Sequence, residues 1–412
     1  MSVSHDTQAI LLLTAHFSKA KNEAVKPLTT KEWGRFTWWL RNRSLTPGHL
    51  MTGRLDELLN GWSDKTITME RIEGLMHRGS ALALALEKWF RAGLWVMTRS
   101  DPDYPTRFKQ RLRTDSPAVV FGCGNRALLN GGGLAVIGSR NATEEDLAYS
   151  RDLGALAAST GYSIISGGAR GVDEASMLGA LEVEGTAIGV LADSLMRVCS
   201  GVKYRKYLMA NNLVLISTFY PEAGFNVGHA MERNKYIYCL SDAALVVHSG
   251  EKGGTWSGAM ENLRKQWVSL WVKRTDEKRA GNAAIVRAGA AWVPENIGDV
   301  ELKALFSTDR GEKSPQQMTL TKSDQFVQIV KEDAEPYSSV EDIEFYDLFL
   351  LKSQILCKDV PKTPDELAEA LQIHKTQLNI WLKQAIADQK LKKLFRPVRY
   401  EWFTEQQGEL SV

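Results

Sequence analysis

The sequence predicts an α/β protein built on a doubly wound parallel sheet, with a helical N-terminal module and a C-terminal winged helix. Three observations favour this fold class. Short apolar runs alternate with helical segments between residues 134 and 294. Apolar residues recur at helical spacing in three segments of the first hundred residues, and three helical segments followed by a strand pair end the chain.

The first part of the chain is predicted to be helical. Apolar residues recur three and four positions apart in segments 10–17, 33–40 and 82–89, and prolines and glycines separate these segments. We therefore expect a helical module over residues 1–99. Residues 100–133 contain prolines, short apolar pieces and a run of three glycines, which indicates a connector to the next domain.

The middle of the chain alternates predicted strands with predicted helices. This order is typical of parallel sheets, in which a helix crosses back between successive strands. It predicts a Rossmann-like core over residues 134–300. The strands are expected at 134–137, 163–165, 186–191, 213–217, 244–247 and 268–272, and the clearest helices at 144–158, 173–183 and 257–266.

The last hundred residues are expected to contain a linker and a small domain. Residues 301–338 are polar and broken by glycine and proline, as linkers are. Residues 339–404 predict three helices, the second opening with Pro364 at its first position, and then a strand pair that turns at Pro397. This pattern indicates a winged helix, followed by a short tail over residues 405–412.

Composition excludes several classes of protein. The 51 basic residues against 49 acidic ones give a net charge of +2, so any nucleic-acid surface must be a local patch. The four cysteines, which form no CxxC pair, argue against zinc and against a disulfide scaffold. No apolar stretch approaches the ~20 residues that cross a bilayer. We expect a cytoplasmic protein without a membrane partner.

Glycine-rich loops follow three of the predicted strands. Parallel strands bring their carboxyl ends to one edge of the sheet, where ligands bind, so these loops are expected to converge there. Thr143 and Asp146 form a possible capping box that presents backbone N–H groups to an anion. The candidate phosphate-binding residues are Gly138, Ser139, Arg140, Gly167, Gly168, Arg170, Gly171, Arg233, Asn234, Lys235, Gly254 and Thr255.

The same loops lack the signatures of common nucleotide enzymes. The first loop reads G-S-R-N-A-T instead of GxGxxG, which argues against a nicotinamide dehydrogenase, and no Gly-Lys-Ser/Thr loop is present. Any one glycine turn could equally serve close packing of a strand on a helix. His229 and His248 are isolated and are expected to be packed or surface residues. No catalytic residue, metal site or cofactor is predicted.

Taken together, the motifs resemble one family. They are Ile137-Gly138-Ser139-Arg140, the segment from Ser166 to Asp173, Arg233-Asn234, and the segment from Gly254 to Ala259. In this order and spacing, with the lead-in from residue 93, they resemble the DNA processing protein A (DprA/Smf) family, of which the chain is identified as a divergent member.

The resemblance implies a non-catalytic protein that binds single-stranded DNA, dimerises through its Rossmann-like domain and loads a RecA-type recombinase. Such a protein would serve recombination, DNA uptake in transformation, or defence against foreign DNA. By the same resemblance, Arg140 and Arg170 would hold phosphates, and glycines 167, 168 and 171 would permit backbone contact. Arg233 with Asn234 would complete the groove.

Two departures from the family pattern leave an alternative open. Ala175-Ser176 stands where the family commonly has alanine-histidine, and Met231-Glu232 stands where it has Phe-Pro, which brings an acid beside the phosphate path. The segment around Arg233 is also similar to the Lonely Guy-type nucleotide phosphoribohydrolases. In this chain, however, Glu261 stands six residues after Thr255 instead of three. The alternative function is a nucleotide sensor or phosphoribohydrolase.

Charge is segregated in the C-terminal domain. Seven acidic residues lie between positions 331 and 347, whereas positions 375–399 hold one acid, Asp388. We expect the basic patch to contact phosphates; a solvated helix end or a protein-docking face are the alternatives. The patch comprises Lys375, Lys383, Lys390, Lys392, Lys393, Arg396 and Arg399.

Overall fold

The structure is a computed structural model, and it describes residues 3–18, 23–277, 279–306, 345–357, 360–371, 375–388, 390–394 and 398–402. The chain forms two compact units, residues 1–312 and 313–412, which are taken in turn. None of the helices in these ranges has the length and apolar character needed to cross a membrane.

A nine-stranded sheet forms the centre of the first unit. Its order is β1-β2-β6-β5-β4-β3-β7-β8-β9. The six predicted strands are all present, with each end within one residue of the prediction. The strands are β1 (Trp95–Thr98), β2 (Val119–Gly124), β3 (Leu134–Ile137), β4 (Ile164–Ser166), β5 (Ala187–Val190), β6 (Leu213–Ser217), β7 (Ala243–Val246), β8 (Ser269–Val272) and β9 (Ala291–Trp292).

The sheet is mixed, whereas the sequence predicts a purely parallel sheet. Strands β3 to β9 run parallel, but β2 pairs antiparallel with β6, and β1 pairs antiparallel with β2. An antiparallel edge strand needs no crossover helix, so the alternation of strands and helices that marks a parallel sheet does not reveal it. Residues 119–123 of β2 are all buried and therefore show no two-residue period either.

The described residues of this unit form fifteen α-helices. The sequence-predicted capping box is confirmed, because the Asp146 N–H donates to Thr143 Oγ1 over 3.2 Å and the Thr143 N–H donates to Asp146 Oδ2 over 3.4 Å. The helices are α1 (His5–Thr14), α2 (Thr30–Asn42), α3 (His49–Thr52), α4 (Leu55–Leu58), α5 (Met69–Met76), α6 (Gly79–Arg91), α7 (Thr106–Leu112), α8 (Glu144–Ser159), α9 (Val172–Glu182), α10 (Leu195–Ser200), α11 (Val202–Met209), α12 (Val227–Leu240), α13 (Gly254–Lys265), α14 (Asn282–Arg287) and α15 (Leu302–Phe306).

Helices cover both faces of the sheet. Successive residues of a strand point to opposite faces. Leu134 and Val136 of β3 accordingly join the core that holds α8, α9 and the N-terminal helices. Ala135 and Ile137 join a second core with α7, α12 and α13. The doubly wound arrangement is thus present, and it fixes which helix ends reach the carboxyl edge of the sheet.

The helical N-terminal segment packs into the first of these cores. Residues 10–13 of α1 are almost fully buried. Arg78 donates to the carbonyls of Leu12 and Ala15 and pairs with Glu23, so it satisfies the C-terminal end of α1. The ring of Trp89 in α6 lies 4.9 Å from that of Phe121 in β2. These contacts join the N-terminal helices to the edge of the sheet.

Two of the four cysteines form a disulfide. The bond joins Cys123 of β2 to Cys199 of α10 across 76 residues and so ties α10 to the sheet. The sequence argues against a disulfide scaffold and does not predict this single bond, because a separation of 76 residues gives no sequence signal that the two cysteines meet. Cys239 and Cys357 are free and buried.

The described residues of the second unit form three helices and a strand pair, in the order that the sequence predicts. They are α16 (Phe345–Cys357), α17 (Pro364–Leu371), α18 (Lys375–Ala387), β10 (Leu391–Leu394) and β11 (Arg399–Trp402). Phe349, Leu367 and Leu382 are buried in its core. Thr363 and Glu366 form a capping box at α17. Arg396 and the turn at Pro397 lie outside the described residues.

Candidate phosphate-binding site

The site lies at the carboxyl edge of the sheet, where the direction of strand order reverses. From β3 the chain proceeds through β4, β5 and β6 on one side, and it resumes at β7 on the other side of β3. At such a point the loops of two neighbouring strands turn away from each other and leave a crevice between them. Open α/β sheets bind their ligands in this crevice.

A cavity of about 500 Å³ opens at the carboxyl edge, on the β4 and β5 side of this crevice. We call it the cradle. The loops after β3, β4 and β5 line it, together with one turn of α10 and one side chain of α12. Its lining residues are Arg140, Asn141, Gly167, Gly168, Ala169, Arg170, Leu191, Ala192, Asp193, Arg197, Val198 and Arg233.

Two glycines let the loops after β3 and β4 interlock. A Cβ at Gly167 would overlap the guanidinium of Arg233 and lie 2.5 Å from Asp173 Oδ2. Gly171 has a φ of +97°, and a Cβ there would lie 2.6 Å from the Ser139 carbonyl oxygen. A side chain at position 167 would displace the side chains of Arg233 and Asp173, and one at position 171 would push the loop after β3 away, so glycine is required at both.

A buried ion pair stands behind these loops. Arg233 Nη1 of α12 lies 3.5 Å from Asp173 Oδ2 of α9, and both side chains are about 93% buried, being 7% and 6% exposed. Burial raises the pKa of Asp173, while Arg233 and the backbone N–H groups of Gly138 and Ala169 oppose this shift. Burial lowers the pKa of Arg233, which still remains charged because a guanidinium titrates so high.

Three further arginines carry charge that no carboxylate balances. Arg140, Arg170 and Arg197 are exposed, and among the described residues none of them forms an ion pair. The guanidinium of Arg140 lies 5.0 Å from the centroid of the Phe225 ring. Asp193 is the one carboxylate among the residues that line the cradle. The cradle therefore has an excess of positive charge and suits an anion.

The other predicted site residues do not line the cradle. Asn234 Nδ2 donates to the Gly254 carbonyl over 2.9 Å, and Thr255 Oγ1 donates to the Gly138 carbonyl over 3.2 Å. These bonds hold the loop after β7 against its neighbours. Gly138, Ser139 and Gly171 lie at the junction of the first two loops. Lys235 Nζ pairs with Glu232 Oε1 over 3.2 Å in a neighbouring cleft.

Sequence reasoning missed Arg197, Asn141 and Asp193. Arg197 follows β5, whose carboxyl end meets the same edge as that of β4. The loop between β5 and α10 contains no glycine, so its sequence lacks the signal that marks the other two loops. Counting every loop at the carboxyl edge, with or without glycine, would have found it.

The chain was compared with known proteins and structures. The family model for DNA recombination-mediator protein A matches residues 95–303. The DNA processing protein DprA of Bacillus subtilis (strain 168) is 28% identical over 223 residues, which are 52% of this chain and 74% of that protein. Protein Smf of Synechocystis is 26% identical over 213 residues, covering 48% of this chain and 53% of that one.

A solved structure agrees at the level of the fold. The X-ray structure of DprA from Streptococcus pneumoniae aligns with a TM-score of 0.54 at 17% identity, over 73% of this chain and 99% of that one. The family model covers just over half of the chain and spans the sheet and the cradle loops. The chain therefore belongs to the DNA recombination-mediator protein A family, also called DprA or Smf.

Proposed function

We propose that this protein binds single-stranded DNA through the cradle and acts as a non-catalytic mediator of DNA recombination. The observation that carries the proposal is the set of three unpaired arginines, Arg140, Arg170 and Arg197, around a glycine-rich loop at the carboxyl edge. Guanidinium groups bind phosphate with paired hydrogen bonds, and glycine loops let backbone N–H groups approach it.

A single strand suits the cradle better than a duplex. The arginines face one narrow crevice, so they can follow one phosphate backbone. They do not form the broad basic face that would meet the two backbones of a duplex. The contacts fall on phosphates and carry no sequence preference of their own. We propose Arg140, Arg170 and Arg197 as the direct contacts, and Gly167, Gly168 and Gly171 as the positions that permit them.

The family supports two finer proposals. We propose that the protein acts as a homodimer, and that it delivers the bound strand to a RecA-type recombinase in DNA uptake or in defence against foreign DNA. The description of the matching family as a recombination mediator supports a role in handing DNA to a recombinase.

We propose that residues 339–404 form a winged helix that contacts duplex DNA. The side chains of Lys392 and Arg399 are exposed on the strand pair, and Lys390 is exposed directly before it. Lys375 and Lys383 lie on α18, and Lys393 lies on β10. We also propose domain boundaries at residues 99, 133, 300 and 338.

The phosphoribohydrolase alternative requires a carboxylate at the ribose. Glu261 does not line the cradle, and Asp173 forms a buried ion pair with Arg233. Incubating the protein with nucleoside monophosphates tests this alternative. Release of free base would favour hydrolysis, whereas the DNA-binding proposal expects none.

The first prediction concerns the choice of strand. The protein should bind a single strand more tightly than the same sequence as duplex. Its affinity should fall with salt at a slope of roughly 2, because each phosphate neutralised on a single strand contributes ~0.7 and three arginines are unpaired. Fluorescence anisotropy at several salt concentrations measures both quantities. Equal affinity for duplex, or no dependence on salt, would contradict the proposal.

The second prediction concerns the exposed arginines. Arg140→Ala, Arg170→Ala and Arg197→Ala should each weaken single-strand binding by roughly 1–3 kcal/mol, about five- to 150-fold, whatever the sequence. The melting temperature should stay close to that of the parent protein, because exposed arginines bury little surface.

Arg264→Ala is the matched control for these variants. Arg264 is also exposed, but it lies in the last turn of α13, which leads into β8 and so ends at the opposite edge of the sheet. This variant should bind as the parent does. If all four variants behaved alike, the cradle would not be the DNA site.

The third prediction concerns the C-terminal unit. A chain that ends at residue 336 should keep single-strand binding, but it should bind a junction of single strand and duplex more weakly, because the exposed lysines of the strand pair are lost. Anisotropy with both substrates measures the difference. Equal affinity of the two chains for the junction would assign this unit to a protein partner or to self-association, which sedimentation of both chains distinguishes.

A further inference from the structure

A second and larger cavity, of about 1010 Å³, adjoins the cradle. We call it the cleft. Residues 14–18 and 28–33 of the N-terminal segment line one side, and the loop after β6 with the start of α12 lines the other. Phe225 lines the cleft, and Arg140 of the cradle lies over its ring. A ligand chain that leaves the cradle past Arg140 therefore meets Phe225 and enters the cleft.

Aromatic rings give the cleft flat apolar surfaces. The side chain of Phe225 is at its entrance, and the residue is 58% exposed. Further in, the rings of Phe219 and His229 stack with centroids 4.1 Å apart and planes 10° apart. A large apolar side chain that is exposed beside a binding site commonly marks a contact surface for a ligand. Flat rings beside an arginine are the platform on which bases of single strands stack.

Two histidine nitrogens inside the cleft lack hydrogen-bond partners. His16 Nδ1 and His229 Nδ1 are both buried and have no hydrogen-bond partner among the described residues, and Glu23 Oε1 lies 3.8 Å from His16 Nδ1. Burial lowers the pKa of His16, which keeps its ring neutral and able to act as donor or acceptor. A buried polar atom without a partner is costly, and a ligand with a polar edge would satisfy it.

The charges of the cleft do not favour phosphate. Lys31 and Lys235 line it together with Asp115 and Glu232, so its cations and anions balance. Glu232 also accepts from Lys235 Nζ over 3.2 Å and is 3.5 Å from the hydroxyl of Tyr236. The cradle, in contrast, has unbalanced arginines. The cradle therefore suits a phosphate, whereas the neighbouring cleft suits an uncharged ring such as a nucleobase.

We propose that the cleft binds unstacked nucleobases of the strand whose phosphates lie in the cradle. Phe225 stacks on the first base to leave the cradle, and the polar edge of a deeper base meets His229 and His16. This assigns the N-terminal helical segment a direct role, because it supplies one wall of the base site. The inference rests on the proposed binding of single-stranded DNA.

The test compares an oligothymidylate with an abasic oligonucleotide of the same length, which carries the same phosphates and no bases. The parent protein should bind the normal strand about five- to 150-fold more tightly, the range expected for stacking one base on an aromatic side chain. His229→Ala should reduce this preference and leave the affinity for the abasic strand and the salt slope unchanged. Phe225→Ala should also reduce the preference, measured as the ratio of the two affinities, because Phe225 contacts Arg140 of the cradle as well.

Two controls separate the cleft from the cradle. Trp38→Ala removes an exposed aromatic of α2 that does not line the cleft, and it should keep the preference for bases. Arg170→Ala should weaken the binding of both strands by the same factor. Equal binding of the two strands by the parent protein, or a preference that survives Phe225→Ala and His229→Ala, would overturn the inference while single-strand binding stands. Binding of neither strand would overturn both proposals.

Discussion

The buried pair of Arg233 and Asp173 is the interaction on which the rest of the site depends. Removing two charges from water costs several kcal/mol each, so a buried pair needs support from its surroundings. Here the N–H groups of Gly138 and Ala169, which belong to two different loops, oppose the rise that burial causes in the pKa of Asp173. The pair therefore joins the loops after β3 and β4 to α12, and it leaves the three exposed arginines in front of it without partners.

Much of the sheet could be predicted, because buried parallel strands are short apolar runs separated by helices, and β3 and β6 match their runs residue for residue. The antiparallel β1 and β2 and the bond from Cys123 to Cys199 depend on distant pairing, which local pattern does not encode. The sequence predicts that the loops bring Arg140 and Arg170 to the carboxyl edge, and both line the cradle there. The sequence does not predict that Arg233 is buried. Its helical segment shows that a cation is present, but it does not show which way the side chain points.

The departures from the family pattern find physical explanations in the packing. Glu232 does not line the cradle, and Lys235 balances its charge in the neighbouring cleft. Ser176 is fully buried in α9, where a Cβ at Gly154 of α8 would clash with the Ser176 carbonyl, so the two helices leave little room at this position. A serine fits this tight contact, and its hydroxyl donates to the Asp173 carbonyl over 3.0 Å.

A double-mutant cycle on the buried pair tests the central claim most directly. Arg233→Met leaves a buried carboxylate unpaired, and Asp173→Asn leaves a buried guanidinium unpaired, so each should lower the free energy of unfolding by about 3–5 kcal/mol and weaken strand binding. The double variant leaves neither charge in the core. Its loss of unfolding free energy should be smaller than the sum of the two single losses, by a coupling energy of roughly 1–3 kcal/mol. Additive losses, or single variants as stable as the parent, would contradict the account.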